Sequence, residues 1–239
     1  MPEPKRVWVP DSSYHITTRG NRKSDIFKDS ADYSMYLLLI KDCLNYYEEF
    51  SYEIICYCLM TNHVHLIVKT NEKEASTFMR RLNSMYAKYF NKKYDYRGHL
   101  YQDRYFSNLI QTKVKLLEIS RYIHLNPVRA NMVRLPEDYN YSSYSMYIGT
   151  KEERLINSDD VLSNNILLND SKFFDEGKDD EVIQDVEDVE DIEATKGVGS
   201  HRSIGNDRGG GSIGSIGSGR NVKYRMEYKA FVEKALRRQ

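Results

Sequence analysis

The chain has 239 residues, 40% hydrophobic and 29% charged, which is enough for one domain of about 150 residues and a remainder. Its 35 basic and 35 acidic side chains cancel, but residues 1–149 hold 21 against 16 (+5), 150–196 hold 5 against 16 (−11) and 197–239 hold 9 against 3 (+6), so neutrality does not exclude a nucleic-acid partner. Cys43, Cys56 and Cys58 lack a C-x-x-C spacing, which excludes a disulfide framework or zinc ribbon, and the short apolar runs and absence of a signal core point to a soluble, cytoplasmic protein with no membrane partner.

In chain order, Val7–Thr18 is rich in alternating and β-branched residues and ends at the turn Arg19-Gly20-Asn21, which predicts a first strand with Tyr14, Ile16 and Thr18 on one side. From Ser30, Tyr33, Tyr36, Leu37, Ile40, Cys43, Leu44 and Tyr47 recur at three and four, the pattern of a helix entered through an Asp or Ser cap. Tyr52–Met60 and His63–Lys69 flank Thr61-Asn62 and read as an antiparallel hairpin. A second helix is predicted over Ala75–Lys93 from Phe78, Leu82, Met85, Tyr86 and Tyr89. Gly98 breaks the chain, Tyr101–Gln111 reads as a fourth strand, and Val114–Leu125 as a helix stopped by Pro127. The order β-α-β-β-α-β-α predicts an α+β fold of the ferredoxin-like, split βαβ type, an antiparallel sheet with packed helices.

Beyond Tyr147 the composition changes. DDEVIQDVEDVEDIE is acidic and GGGSIGSIGSG is low in complexity, so disorder is expected from about 170 to 221. Tyr224, Tyr228, Phe231, Ala235 and Leu236 then predict a basic amphipathic helix within 221–239. Three units result: 1–149, 150–221 and 222–239.

The hairpin holds the most informative residues. In His63-Val64-His65, alternation sends both imidazoles to one face and Val64, Leu66 and Val68 to the other. Such a pair suits a divalent metal, though two histidines alone also occur as surface or packed residues, and a metal needs a third ligand. On the helix before Pro127, Tyr122 and Asn126 lie about 40° apart, beside a stripe of Leu116, Ile119 and Ile123 that would pack on the sheet. That places the phenol and a hard amide oxygen at the rim, although a tyrosine on a packing helix is most often core. His15, His99 and His124 read as structural, and Cys56 and Cys58 as packed thiols.

YHITTRGNRKSDIF (14–27), YCLMTNHVHLIVKT (57–70), GHLYQDRY (98–105) and RYIHLNPVRANMV (121–133) resemble, in order and collinearly over about residues 7–148, the REP-associated tyrosine transposases. These belong to the single-tyrosine HUH transposase superfamily, with its IS200-like transposase domain. The resemblance implies an HUH-endonuclease-type fold and an enzyme that nicks and rejoins single-stranded DNA near imperfect, REP-like hairpins through a 5′-phosphotyrosine. It further implies Tyr122 as nucleophile and His63, His65 and Asn126 as ligands of Mg²⁺ or Mn²⁺, and the RGNR turn matches the family's start motif. Arg19, Asn21, Arg22 and Arg104 read less specifically as DNA contacts, each with a solvated face as the alternative. A homodimer stays open.

The chemistry is coherent, because a phenol with an ordinary pKa of about 10 is a weak nucleophile that a divalent metal can assist. Two other readings stand beside it: a catalytically retired DNA-binding module on the same fold, and a metal-dependent hydrolase using the His-x-His pair with water as nucleophile.

Overall fold

The structure is a computed structural model that describes residues 8–152, 155–163 and 219–237. The disorder expected for about 170–221 falls, up to residue 218, outside the described residues. Four strands, β1 (Ser12–Arg19), β2 (Glu53–Leu59), β3 (His63–Thr70) and β4 (Phe106–Ile110), form one antiparallel sheet in the order β2-β3-β1-β4. With α1 (Ser30–Tyr46) and α2 (Ala75–Tyr94) as the connections, this is the ferredoxin-like arrangement that the element order predicts.

Helices cover both faces of the sheet. On one face α1 and α2 close a core in which Tyr14, Ile16, Ile54, Tyr57, Val64, Leu66 and Val68 meet Tyr36, Ile40, Phe78, Leu82 and Tyr86. On the other, Ile55, Cys56, Cys58 and Ile67 meet Leu116, Ile119 and Ile123 of α3 (Lys113–Arg129). The short helices α4 (Tyr144–Tyr147) and α5 (Asp159–Leu162) pack there too. So does α6 (Gly219–Leu236), through Tyr228, Phe231, Val232 and Ala235. None of these helices is long and apolar enough to cross a membrane.

Local chemistry explains the boundaries. Asp29 and Asp32 form a reciprocal capping box that starts α1. Asp32, fully buried, also receives Lys93 at 2.7 Å, Tyr94 at 2.8 Å and Tyr89 at 3.0 Å, which ties the start of α1 to the end of α2. Burial by itself would raise its carboxyl pKa, but the bond to Lys93, with those from Lys28 and the tyrosines, holds it below the ordinary range. In β2, a bulge between Ile54 and Cys56 turns Ile55 and Cys56 to the same side, so two successive residues feed the α3 core.

Three sequence expectations need correction. The first strand begins at Ser12 instead of Val7, after Asp11 takes the left-handed backbone at φ 52°. The fourth strand is confined to Phe106–Ile110, because Tyr101 makes only an isolated bridge to Gly20. Pro127 does not stop the third helix, which continues to Arg129. A proline's fixed φ suits a helix and forfeits only the bond to the carbonyl four residues back, here that of Ile123. The Ala130 N–H still reaches the Asn126 carbonyl at 2.9 Å.

A buried polar network joins α3 to its surroundings. The His124 side chain is fully buried; its Nδ1 meets the Tyr228 hydroxyl at 2.8 Å, and its Nε2 meets Ser143 Oγ at 2.8 Å and Cys56 Sγ at 3.3 Å. Burial pushes the imidazole pKa down from 6.5 to about 3. Between those values the unfolded chain takes up a proton that the folded chain does not, so folding stability falls as pH drops below 6.5. From pH 6.5 to 5 this single group should remove about 2 kcal/mol. Urea titrations at pH 7 and pH 5 should therefore show a shallower loss for His124→Gln than for the unmodified chain, by about that amount. Parallel losses would contradict the assignment.

Candidate active site

Strand β3 begins at the metal-candidate pair, and its alternation is as the sequence predicts: Val64, Leu66 and Val68 enter the α1/α2 core while His63 and His65 share the opposite face. Their rings stand 4.9 Å apart and nearly perpendicular, at 88°. Asn62 Nδ2 donates to the Lys23 carbonyl at 3.2 Å, which turns Asn62 Oδ1 towards His63 Nδ1 at 2.6 Å. An amide oxygen only accepts, so His63 Nδ1 carries the proton and, in the neutral ring, Nε2 carries the lone pair a metal would take.

His65 is oriented by a different neighbour. Its Nδ1 lies 3.1 Å from His15 Nε2 and 3.3 Å from Thr17 Oγ1, and the His15 and His65 rings stack at 5.3 Å. With Nδ1 engaged in this way, Nε2 is again the nitrogen a metal would take. Both His15 and His65 are buried, at 1% and 0% exposure. From the sequence alone His15 reads as a structural imidazole. The signal that would have found it is register: on β1, His15 shares a face with Thr17, which pairs directly with His65 across the ladder.

Helix α3 brings the phenol to the same face. The Tyr122 ring stands edge-on to His65 at 5.8 Å and to His15 at 6.4 Å, and the Arg129 guanidinium lies 5.1 Å from its centroid. That last contact exists only because the helix runs on through Pro127. Asn126, one turn beyond Tyr122, directs its amide nitrogen to the Tyr122 carbonyl at 3.5 Å, so the oxygen is the end suited to a hard cation. Tyr122 and Asn126 are buried, at 5% and 7% exposure, instead of standing at the rim as the helical spacing suggested. The imidazoles of β1 and β3 rise to meet the phenol.

Among the described residues no three His, Cys, Asp or Glu side chains converge as a metal cage. The donor set expected from the sequence, two imidazoles and an amide oxygen, is a neutral one. Without a carboxylate ligand, a divalent cation would keep its charge for phosphate oxygens, and open coordination positions would remain.

The four proposed DNA contacts share one end of the sheet with His63. Arg19 pairs directly with His63 across the β1–β3 ladder. Gly20 N–H donates to the Asn62 carbonyl at 2.8 Å, Asn21 N–H to the Leu100 carbonyl at 2.9 Å and Gln102 N–H to the Arg19 carbonyl at 3.0 Å, so three segments are stitched together there. A Cβ on Gly20 would lie 2.1 Å from the Ser24 carbonyl oxygen, which restricts this junction to glycine. Arg22 and Arg104 are exposed, while Arg19 and Asn21 are half-buried.

Residues 8–126 match the sequence profile of the family described as Transposase IS200 like. A Haemophilus influenzae protein, provisionally named a REP-associated tyrosine transposase, is 25% identical over 108 residues, which is 41% of this chain and 61% of that protein's length. The fold is shared with a solved structure of a REP-associated tyrosine transposase bound to a REP hairpin, at 20% identity and a TM-score of 0.52, over 67% of this chain and 93% of that one. The profile match, with the ordered sequence blocks and the common fold, identifies residues 8–126 as an IS200-like transposase domain.

Proposed function

We propose that the chain nicks and rejoins single-stranded DNA beside imperfect, REP-like hairpins, with Tyr122 as the nucleophile that forms a 5′-phosphotyrosine. The observation that carries this reading is the seating of Tyr122 edge-on against His65 at 5.8 Å, on the sheet face that also presents His63. The REP hairpin held by the related solved structure supports a hairpin-bearing strand as the substrate class. Catalysis is assigned to the unit of residues 1–149.

In the reaction, the Tyr122 oxygen attacks the scissile phosphorus and the P–O3′ bond breaks. The 5′ phosphate stays on the phenol, and the departing 3′ oxygen takes up a proton as the phenol loses one. A phosphodiester replaces a phosphodiester, so a 3′-hydroxyl can reverse the step without ATP. His63 and His65, through Nε2, and Asn126, through Oδ1, would hold Mg²⁺ or Mn²⁺, whose charge stabilises the phosphate and the leaving oxygen when bound. The His15 and His65 rings limit the swing of the Tyr122 phenol, which lowers the entropic cost of attack. Arg19, Asn21, Arg22 and Arg104 would hold backbone phosphates leading to that point.

Two outcomes follow. With Mn²⁺ and a labelled hairpin oligonucleotide, the unmodified chain should give a denaturation-resistant protein–DNA adduct, and Tyr122→Phe should give none while its DNA affinity stays within about twofold. Adduct formation by Tyr122→Phe would refute the assignment. Calorimetric titration of the metal-free protein should show Mn²⁺ binding weakened about 10- to 100-fold in His15→Ala, the range for removing an orienting partner of a ligand. His15→Gln, which keeps an acceptor for His65 Nδ1, should largely restore it, whereas unchanged binding in His15→Ala would remove His15 from the site.

A further inference from the structure

Arg129 is placed by the helix that carries the candidate nucleophile. Positions four and seven residues beyond Tyr122 return to its side of α3, within about 40° of it, so Tyr122, Asn126 and Arg129 lie along one stripe. Helical side chains lean towards the N-terminus, and Arg129 reaches back to set its guanidinium over the Tyr122 ring, 5.1 Å from the centroid. A basic residue in the last turn of a helix also favours the carbonyl end of the helix dipole, but this side chain runs away from that end. Its charge is not neutralised inside the protein. Arg81 and Lys93 are likewise packed on tyrosine rings, those of Tyr46 and Tyr94, but Arg81 pairs with Asp42 at 3.1 Å and Lys93 with Asp29 at 2.8 Å and Asp32 at 2.7 Å. Arg129 makes no ion pair and no side-chain hydrogen bond among the described residues, although it is half-buried. A guanidinium held this way keeps a planar fork of donors for an anion from outside.

We propose that Arg129 is a further catalytic residue, whose guanidinium donates to a non-bridging oxygen of the scissile phosphate as the Tyr122 oxygen attacks. A phosphorus in position for attack lies about 3–3.5 Å from that oxygen, which brings its other oxygens within reach of a guanidinium already seated on the same ring. At the transition state the attacking and leaving oxygens stand in line and negative charge is spread over the equatorial ones, where a fixed pair of N–H donors meets it best. The neutral donor set of His63, His65 and Asn126 leaves this charge for a side chain to share with the metal. The guanidinium keeps its protons throughout, so the bonds formed and broken stay those of the Tyr122 reaction.

The inference rests on Tyr122 as the nucleophile and adds the group that meets the phosphate opposite the sheet. Arg19, Asn21, Arg22 and Arg104 come from β1, the turn after it and the segment before β4, whereas Arg129 comes from the α3 layer. Were its role only to pin the ring, an uncharged side chain of similar length would serve as well. Methionine keeps a flexible apolar stem to cover the ring and removes the charge.

The test is single-turnover adduct formation by the full-length chain, with Mn²⁺ and saturating hairpin oligonucleotide, for the unmodified protein, Arg129→Met and Arg129→Lys. Arg129→Met should slow the step about 100-fold, the cost of removing one donor from a site of developing negative charge, while DNA affinity in EDTA stays within about threefold. Arg129→Lys, a point charge without the fork, should run about tenfold faster than Arg129→Met. The same rates are then measured on the two separated diastereomers of an oligonucleotide whose scissile phosphate is a neutral methylphosphonate. On the diastereomer that lacks the oxygen Arg129 meets, the defect of Arg129→Met should shrink to about twofold, because the charge it answered is gone. Misfolding or a displaced Tyr122 would slow all the substrates alike. An Arg129→Met rate within about threefold of the unmodified chain on the phosphodiester, or an equal defect on the phosphodiester and both diastereomers, would overturn the proposal. Should no protein react with either methylphosphonate, Arg129→Lys decides, and a rate no better than that of Arg129→Met overturns it. Adduct by the unmodified chain with Arg129→Met unimpaired removes only Arg129, whereas no adduct from the unmodified chain removes Tyr122 and this proposal with it.

Discussion

Strand β3 is hydrogen-bonded on both sides, to β2 and to β1, so its side chains cannot change faces without breaking two ladders at once. That constraint lets one short segment do two unlike jobs. Val64, Leu66 and Val68 are almost wholly buried under α1 and α2, and burying each side chain is worth about 1.5–3 kcal/mol. A one-residue slip would send these three towards α3 and turn the imidazoles into an apolar core. The hydrophobic register thus fixes where His63 and His65 point, and the positions of Asn62, His15, Thr17 and Tyr122 follow from it.

The opposite layer is held with equal economy. Helix α3 must lie flat enough on the sheet to seat Tyr122 against His65, and its buried face does so through Leu116, Ile119 and Ile123. Its outer side is braced by α6, where the Tyr228 hydroxyl bonds both His124 Nδ1 at 2.8 Å and Ser120 Oγ at 3.0 Å. Arg121 lies over the Phe231 ring at 4.2 Å, and Arg225 donates to the carbonyls of Met146 and Tyr147. A chain segment nearly a hundred residues downstream in sequence therefore supports the helix that carries the candidate nucleophile.

Much of this was legible from the residues. Alternation in HVHLIV assigns the two faces of β3, the Asp29 cap starts α1, and the element order gives the sheet topology. The spacing of Tyr228, Phe231 and Ala235 identifies α6 as amphipathic, but what covers its apolar face is a long-range contact that spacing does not encode. The bulge at Ile54/Cys56 was hidden for a similar reason, since β-branched runs look alike with or without an extra residue. Pro127 misled because a proline removes one donor and does not by itself end a helix whose other bonds are kept. The contact of His15 with His65 is not legible locally, because it is made through strand pairing between positions fifty residues apart and a single imidazole on a strand has no local signature.

The central claim is that the phenol seated against the imidazole pair is the group that takes the DNA phosphate. Its most direct test is the chemistry of the adduct itself. After reaction with a hairpin oligonucleotide and Mn²⁺, nuclease trimming and trypsin digestion, mass spectrometry should find the residual 5′-nucleotide on the peptide running from Tyr122 to Arg129, with fragmentation placing it on Tyr122. A nucleotide attached to any other residue, Tyr101 and Tyr105 included, would contradict the account.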